Sequence, residues 1–165
     1  MQAGLDGQDI VVAVALIVGP AASSFLSDLL LPQARHASSQ RLMTCGLLRH
    51  GDAVNRLALI EFLLHGARFT FPGELSENFV FGVPTSLSGP ALRSDFVINS
   101  GAEVVWQYRN GEIRGHALEP LHENLPDVAP RYPQIYRLLT LVDAVRAGRS
   151  RERTLAADLL RSELT

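Results

Sequence analysis

The sequence predicts a mainly α protein with a small β component, and three observations carry that prediction. Apolar residues recur at helical spacing over 55–65 and again over 132–147 and 151–164. Glycine and proline punctuate 69–130 and confine extended structure to that middle stretch. The 165 residues are 47% hydrophobic and 19% charged, which supports a packed core and excludes a disordered chain.

The first element is the hardest to assign. The run 10–18 (IVVAVALIV) is β-branched and short enough for a buried strand, yet it suits a buried helix equally well. Read as a strand, it would lead into Gly19-Pro20-Ala21-Ala22-Ser23-Ser24 as a weak nucleotide-binding loop, without G-x-G-x-x-G or G-K-[ST]. The run is far shorter than the ~20 apolar residues needed to cross a bilayer. Asp6 and Asp9 stand where a signal peptide carries positive charge, so no membrane partner and a cytoplasmic location are expected.

Ser23 or Ser24 can cap a short helix running through Leu31, with Asp28 in its turns. Pro32 suits the first position of the next helix, which is expected to run to Cys45 and stop at Gly46. A further helix over 55–65 carries Leu57, Leu59, Ile60, Leu63 and Leu64, and Gly66 closes it. Beyond the loop-rich stretch from Phe69, Val104-Val105-Trp106-Gln107-Tyr108 and 112–117 flank Asn110-Gly111. That dipeptide predicts a β-hairpin with a type I′ turn. Two C-terminal helices follow, 132–147 and 151–164, separated by Gly148-Arg149-Ser150 with Ser150 as the expected cap. The chain thus divides into 1–72, 73–130 and 131–165. The apolar stripes of the last two helices are expected either to pack on the core or to form a homodimer interface.

Charge is distributed unevenly around a net of -2. All 15 basic residues are arginine. Arg35, Arg41, Arg49 and Arg56 face Asp52 alone over 33–56, an acidic middle follows, and arginines again outnumber acids from 131 onward. Arginine suits bidentate contacts to phosphate and guanine. The densest basic cluster, Arg146, Arg149, Arg151 and Arg153, is a candidate for phosphate or partner contacts; otherwise it is a solvated helix junction paired with acids such as Glu152.

A short helix, a tight turn and a second helix ending in Gly-Leu-Leu is the arrangement of a helix-turn-helix, here over 24–48. The segment resembles the winged-helix transcription regulators of MarR type, whose third helix ends in an R-L-x-x-x-G-L-L phrase; Arg41, Leu42, Gly46, Leu47 and Leu48 match it. The phrase NRLALIEFLLHGARFTFP over 55–72, with Arg114-Gly115 and 141–153, is similar to uncharacterised bacterial helix-turn-helix proteins of this size. The resemblance implies a winged-helix-like core, double-stranded DNA as partner, a homodimer and no cofactor. It places Gln33, His36, Ala37 and Gln40 on the outer face of a recognition helix. Gln33 and Gln40 would then read adenine edges, while Arg35, His36 and Arg41 would meet phosphate or guanine. Leu31 departs from the pattern by standing at a Ser/Thr cap position, as do Arg35 and Ser39 at apolar positions, and the turn lacks glycine. Arg35 must therefore reach solvent, a phosphate or a carboxylate.

Other chemistry finds little support. The histidines (His36, His50, His65, His116, His122) and Cys45 have no metal-ligand spacing, and Cys45 is expected to be a buried, inert thiol. No G-x-S-x-G elbow is present, and Glu61 with His65 one turn later is the commonplace helical pair, so no enzyme is expected. The expected function is sequence-specific DNA binding by a transcription regulator. The alternative is a protein-interaction module on the same scaffold, a subunit of a regulatory or defence complex, favoured by the acidic middle.

Overall fold

The computed structural model describes residues 4–96 and 102–165. Positions 97–101 of the expected loop-rich stretch lie outside the described residues. The chain is mainly helical with a small sheet component, as expected, and the run 10–18 falls within a helix, α1 (Gly7–Val18). Ile10 through Ala15 are buried without exception, which explains the missing periodicity: a helix covered on every side needs no polar face. Packing therefore overrides the β preference of its valines. The nucleotide-binding strand-loop reading falls with this assignment, since it required a strand.

Three helices surround α1. Two of them, α2 (Ala21–Leu29) and α3 (Pro32–Thr44), are joined only by Leu30 and Leu31, and both pack on α1. The helix α2 starts before the serines expected to cap it and ends short of Leu31, because Leu30 turns extended at φ -130, ψ 145. Pro32 opens α3 as expected. A minute antiparallel hairpin follows, β1 (Leu48–Arg49) and β2 (Ala53–Val54), turning through Gly51 and Asp52, both at positive φ. Next come α4 (Arg56–His65), whose cap Asn55 accepts from the Ala58 amide, and the single turn α5 (Ala67–Thr70).

The third helix against α1 is α7 (Pro133–Ala147), which also packs on α8 (Ser150–Leu164). Ser150 opens α8 rather than capping it; Arg149 holds the cap position without a side-chain bond. The two helices direct Ile135, Leu139, Val142, Ala156, Leu160 and Leu164 into the one core that α1 also fills. Of the two fates expected for their stripes, packing on the core is the one observed.

The middle segment departs furthest from expectation. Its β-structure is a small closed barrel of β3 (Leu75–Pro84), β4 (Val104–Gln107) and β5 (Ile113–Leu118). The expected hairpin is not formed. Both β4 and β5 pair antiparallel with β3, and they meet each other parallel, Val104 opposite His116. Gly82 of β3 lies between Gln107 and Ile113, and neither Asn110 nor Gly111 adopts the positive φ of a type I′ turn. Gly111 serves close approach instead: a Cβ there would lie 2.4 Å from the Gly82 Cα.

A polar centre ties the barrel to α7. Asp143 is buried and accepts from the Thr85 hydroxyl at 2.6 Å, the Trp106 indole at 2.7 Å and the Arg146 guanidinium at 2.6 Å. Arg146 also donates to the Phe71 carbonyl at 2.9 Å. Burial pushes the Asp143 carboxyl up, opposed by the Arg146 charge and the three donors. Trp106 is thus a packing residue with a satisfied N–H. Tyr136 packs beside it and donates to the Pro84 carbonyl, and burial pushes its phenol up to about 12.

Between the barrel and α7 lie His122 and the short helix α6 (Leu125–Val128). The His122 Nδ1 accepts from the Asn124 amide at 3.0 Å, so this ring nitrogen carries no proton, and burial lowers the imidazole pKa. A histidine whose folded pKa is lowered stabilises the fold above its unfolded value of about 6.5. That contribution is lost as pH falls below it. His122→Asn is accordingly expected to flatten the loss of melting temperature between about pH 7 and 5. An unchanged slope would refute the assignment.

No helix among the described residues is long and apolar enough to cross a membrane. No group of three or more His, Cys, Asp or Glu side chains there is placed to hold a metal ion.

Candidate functional site

The helix α3 carries no acidic residue, in a chain with 17 acids, and its two sides differ sharply. The inward side is anchored by a buried leucine and a polar clasp. Leu42 and Ser38 are fully buried. The Gln8 amide on α1 donates to the Ser38 hydroxyl at 2.8 Å and to the Ala34 carbonyl at 3.2 Å. Beside them Arg41 makes a fork-to-fork pair with Asp9, each bond 2.8 Å. Asp9 is wholly buried, and its carboxylate also accepts the Asp6 amide at the start of α1. The hydrogen bond from Arg41 raises the arginine pKa further, against the cost of desolvation.

This clasp changes the role of Arg41. Sequence reasoning placed it among the residues contacting DNA, but two of its nitrogens are committed to Asp9. It positions α3 on α1. Arg35, expected to need solvent, a phosphate or a carboxylate, reaches the Asp52 carboxylate in the hairpin turn at 3.8 Å. Both groups are partly exposed, so the pair is a weak tether. Ser39 is half-buried, and Ala37, expected on the outer face, is half-buried too.

The outward side presents Gln33, His36, Gln40 and Thr44, all exposed. Their spacing of three, four and four residues makes one continuous stripe along the helix. None of these four side chains makes a hydrogen bond among the described residues, so their amide, imidazole and hydroxyl groups are free for an external partner. Thr44 was missed by sequence reasoning, although its spacing from Gln40 would have found it.

The hairpin β1–β2 sits directly after this helix. The Leu47 amide donates to Leu42 of α3 at 3.0 Å, and Asn55 closes the hairpin on the Leu47 carbonyl at 2.9 Å. Arg49 and His50 are exposed on it. Sequence reasoning missed this element, because two-residue strands leave no alternation to detect; Gly51-Asp52 was its only signal. Cys45 is exposed, against the expected burial: α3 ends at Thr44, which places the thiol past the helix's inner face, where it donates to the Leu42 carbonyl.

The C-terminal arginines are not brought together as one cluster. Arg146 is buried on Asp143 and is unavailable to a phosphate, since its guanidinium is spent on Asp143 and the Phe71 carbonyl. Arg151 is exposed over the Phe96 ring at 5.8 Å. Arg149, Arg151 and Arg153 make no ion pair among the described residues, so the expected pairing with Glu152 is not observed.

Compared with known protein families, curated proteins and solved structures, the chain matches none.

Proposed function

We propose that this chain is a cytoplasmic, sequence-specific DNA-binding transcription regulator that lays α3 in the major groove. The observation that carries the reading is the free polar stripe Gln33, His36, Gln40 and Thr44, on a helix that is rigidly clasped from behind and lacks acids. Glutamine amides can bond bidentately to adenine, and a helix held on its far side keeps them in register. The succession α1–α3 followed by the small hairpin supports a winged-helix-like reading of MarR type, with Arg49 and His50 beside the phosphate backbone. Arg35 supports the wing through Asp52 and is the one arginine of α3 with charge to spare for phosphate. A homodimer on two half-sites belongs to this proposal. Its interface must use surfaces other than the buried stripes of α7 and α8.

Fluorescence anisotropy on the duplex upstream of the chain's own gene, against a scrambled duplex at two salt concentrations, tests the proposal. Gln40→Ala is expected to lose about 1–3 kcal/mol of discrimination between the two duplexes while folding normally. Arg49→Ala is expected to weaken binding to both and to lower the salt slope by about one. Equal, weak binding of the parent to both duplexes would overturn the reading.

The second reading is a protein-interaction module on the same scaffold, a subunit of a regulatory or defence complex. Phe79 and Phe81 favour it, since both rings are exposed on the outer face of β3 beside His116 and Arg114, as is Leu31 between α2 and α3. Indifference to DNA, with capture of one partner lost in Phe81→Ser, would support it.

A further inference from the structure

A cavity of about 380 Å³ lies between the end of α4, the single turn α5 and α8, within the size range of small-molecule sites. Three arginines line it, Arg68 of α5 with Arg153 and Arg161 of α8, together with Phe69 and Asp158. We infer that it binds a phosphate monoester carrying a flat ring, the chemistry of a nucleoside monophosphate. The cavity and the outer stripe of α3 share no residue, so binding here is a second activity that does not rest on DNA recognition.

The fold gathers charge that lies far apart in the chain. Gly66 ends α4, and the chain restarts as α5, which brings Arg68 and Phe69 to the side of α8. On α8, Arg153, Ala157 and Arg161 are spaced four apart and line the cavity, while Ala156, Leu160 and Leu164 fill the core.

Charge balance selects the anion. Asp158 is the one acid among the described residues of the lining, and it is paired with Arg161 at 3.3 Å. Arg68 and Arg153 are half-buried and make no ion pair among the described residues. Arg153 reaches the Gly148 carbonyl at 3.5 Å, which leaves its charge unneutralised. Two guanidiniums partly withdrawn from water without a counter-ion are costly to hold, and an anion entering the cavity offsets that cost. Their two charges match the roughly −1.5 to −2 of a phosphate monoester at neutral pH better than the single charge of a carboxylate. Phosphate oxygens also accept the paired donors of a guanidinium.

Phe69 supplies the seat for a ring. It is 71% exposed, and the Arg68 guanidinium lies over it, 4.5 Å from the centroid. That cation covers one face of the phenylalanine and leaves the other for a planar group to stack on.

Titration of the full chain followed by amide shifts tests this, with AMP, ribose 5-phosphate and adenosine as probes. Saturable shifts at Arg68, Phe69 and Arg153 are expected with AMP. Ribose 5-phosphate and adenosine should each bind about tenfold more weakly, having lost the stacked ring or the charge-assisted contacts. Arg68→Gln and Arg153→Gln should each weaken AMP about tenfold, with the fold checked by circular dichroism. Phe69→Leu keeps an apolar support beneath Arg68 but offers no ring face. It should bring AMP down to the affinity of ribose 5-phosphate and leave ribose 5-phosphate itself unchanged. No saturation by AMP would overturn the inference, as would equal binding of the three probes or undiminished AMP binding to any of the three variants. Displacement of AMP by a scrambled duplex would also overturn it, assigning these arginines to a nucleic-acid backbone instead.

Discussion

Arg41→Ala is expected to destabilise the chain by about 3 kcal/mol, a large share of the ~5–15 kcal/mol that holds a domain of this kind. The cost arises at Asp9 rather than at arginine. Asp9 is wholly buried at the first turn of the central helix, and without Arg41 its carboxylate keeps only the Asp6 amide. Arg41 itself is a quarter exposed, which sets the figure at the lower end for a broken buried pair. Urea unfolding followed by circular dichroism measures the loss, with an unchanged m-value if the native state stays compact. Replacing both partners with leucine should recover most of it, because no charge is then left without its counterpart. The result bears directly on function. On the DNA-binding proposal, Arg41→Ala should weaken binding only through the stability and seating of α3, whereas Gln40→Ala should lose about 1–3 kcal/mol of discrimination with the fold intact. A fully stable Arg41→Ala that had lost only DNA affinity would return Arg41 to the reading face.

Asp143→Ala is the second large effect, expected at about 3–5 kcal/mol. Three donors converge on this carboxylate, and all lose their acceptor at once. Arg146, with 5% of its side chain exposed, would be left as a buried cation held only by the Phe71 carbonyl. The Trp106 indole sits in the same centre, so its fluorescence should report the loss of tertiary contact along with the stability measurement. Asp143→Asn keeps the volume and one acceptor but not the counter-charge, and should fall between the parent and Asp143→Ala. Substituting both Asp143 and Arg146 by apolar residues should cost less than Asp143→Ala alone. If Asp143→Ala unfolded at the same urea concentration as the parent, the barrel would not depend on this centre for its seat on α7.

Legibility from sequence followed the range of the interactions involved. The helices α3, α4, α7 and α8 were readable because their signals are local: Pro32 at a helix start, Asn55 as a cap, Gly66 after an end, and apolar residues three and four apart. The outer stripe of α3 was readable in part for the same reason, since Gln33, His36 and Gln40 follow from helical spacing. Arg41 lies on that helix too, and nothing local distinguishes an arginine that faces solvent from one that faces Asp9, 32 residues earlier.

The barrel illustrates the opposite case. Leu75–Pro84 carries a glycine and two exposed phenylalanines, and it reads as loop until two partner strands are supplied from over 20 residues downstream. Asn110-Gly111 promised a local turn, yet its conformation was set by the need to pass against Gly82. By itself, then, the sequence determined a mainly helical chain, the existence of its longer helices, and a polar face on one of them. Only the tertiary structure decided that 10–18 is helical, which arginines are spent on Asp9 and Asp143, and how β3 closes the sheet. Helical periodicity is written within a few residues of chain, whereas burial on every side, ion-pair choice and strand partnership depend on which distant segments arrive.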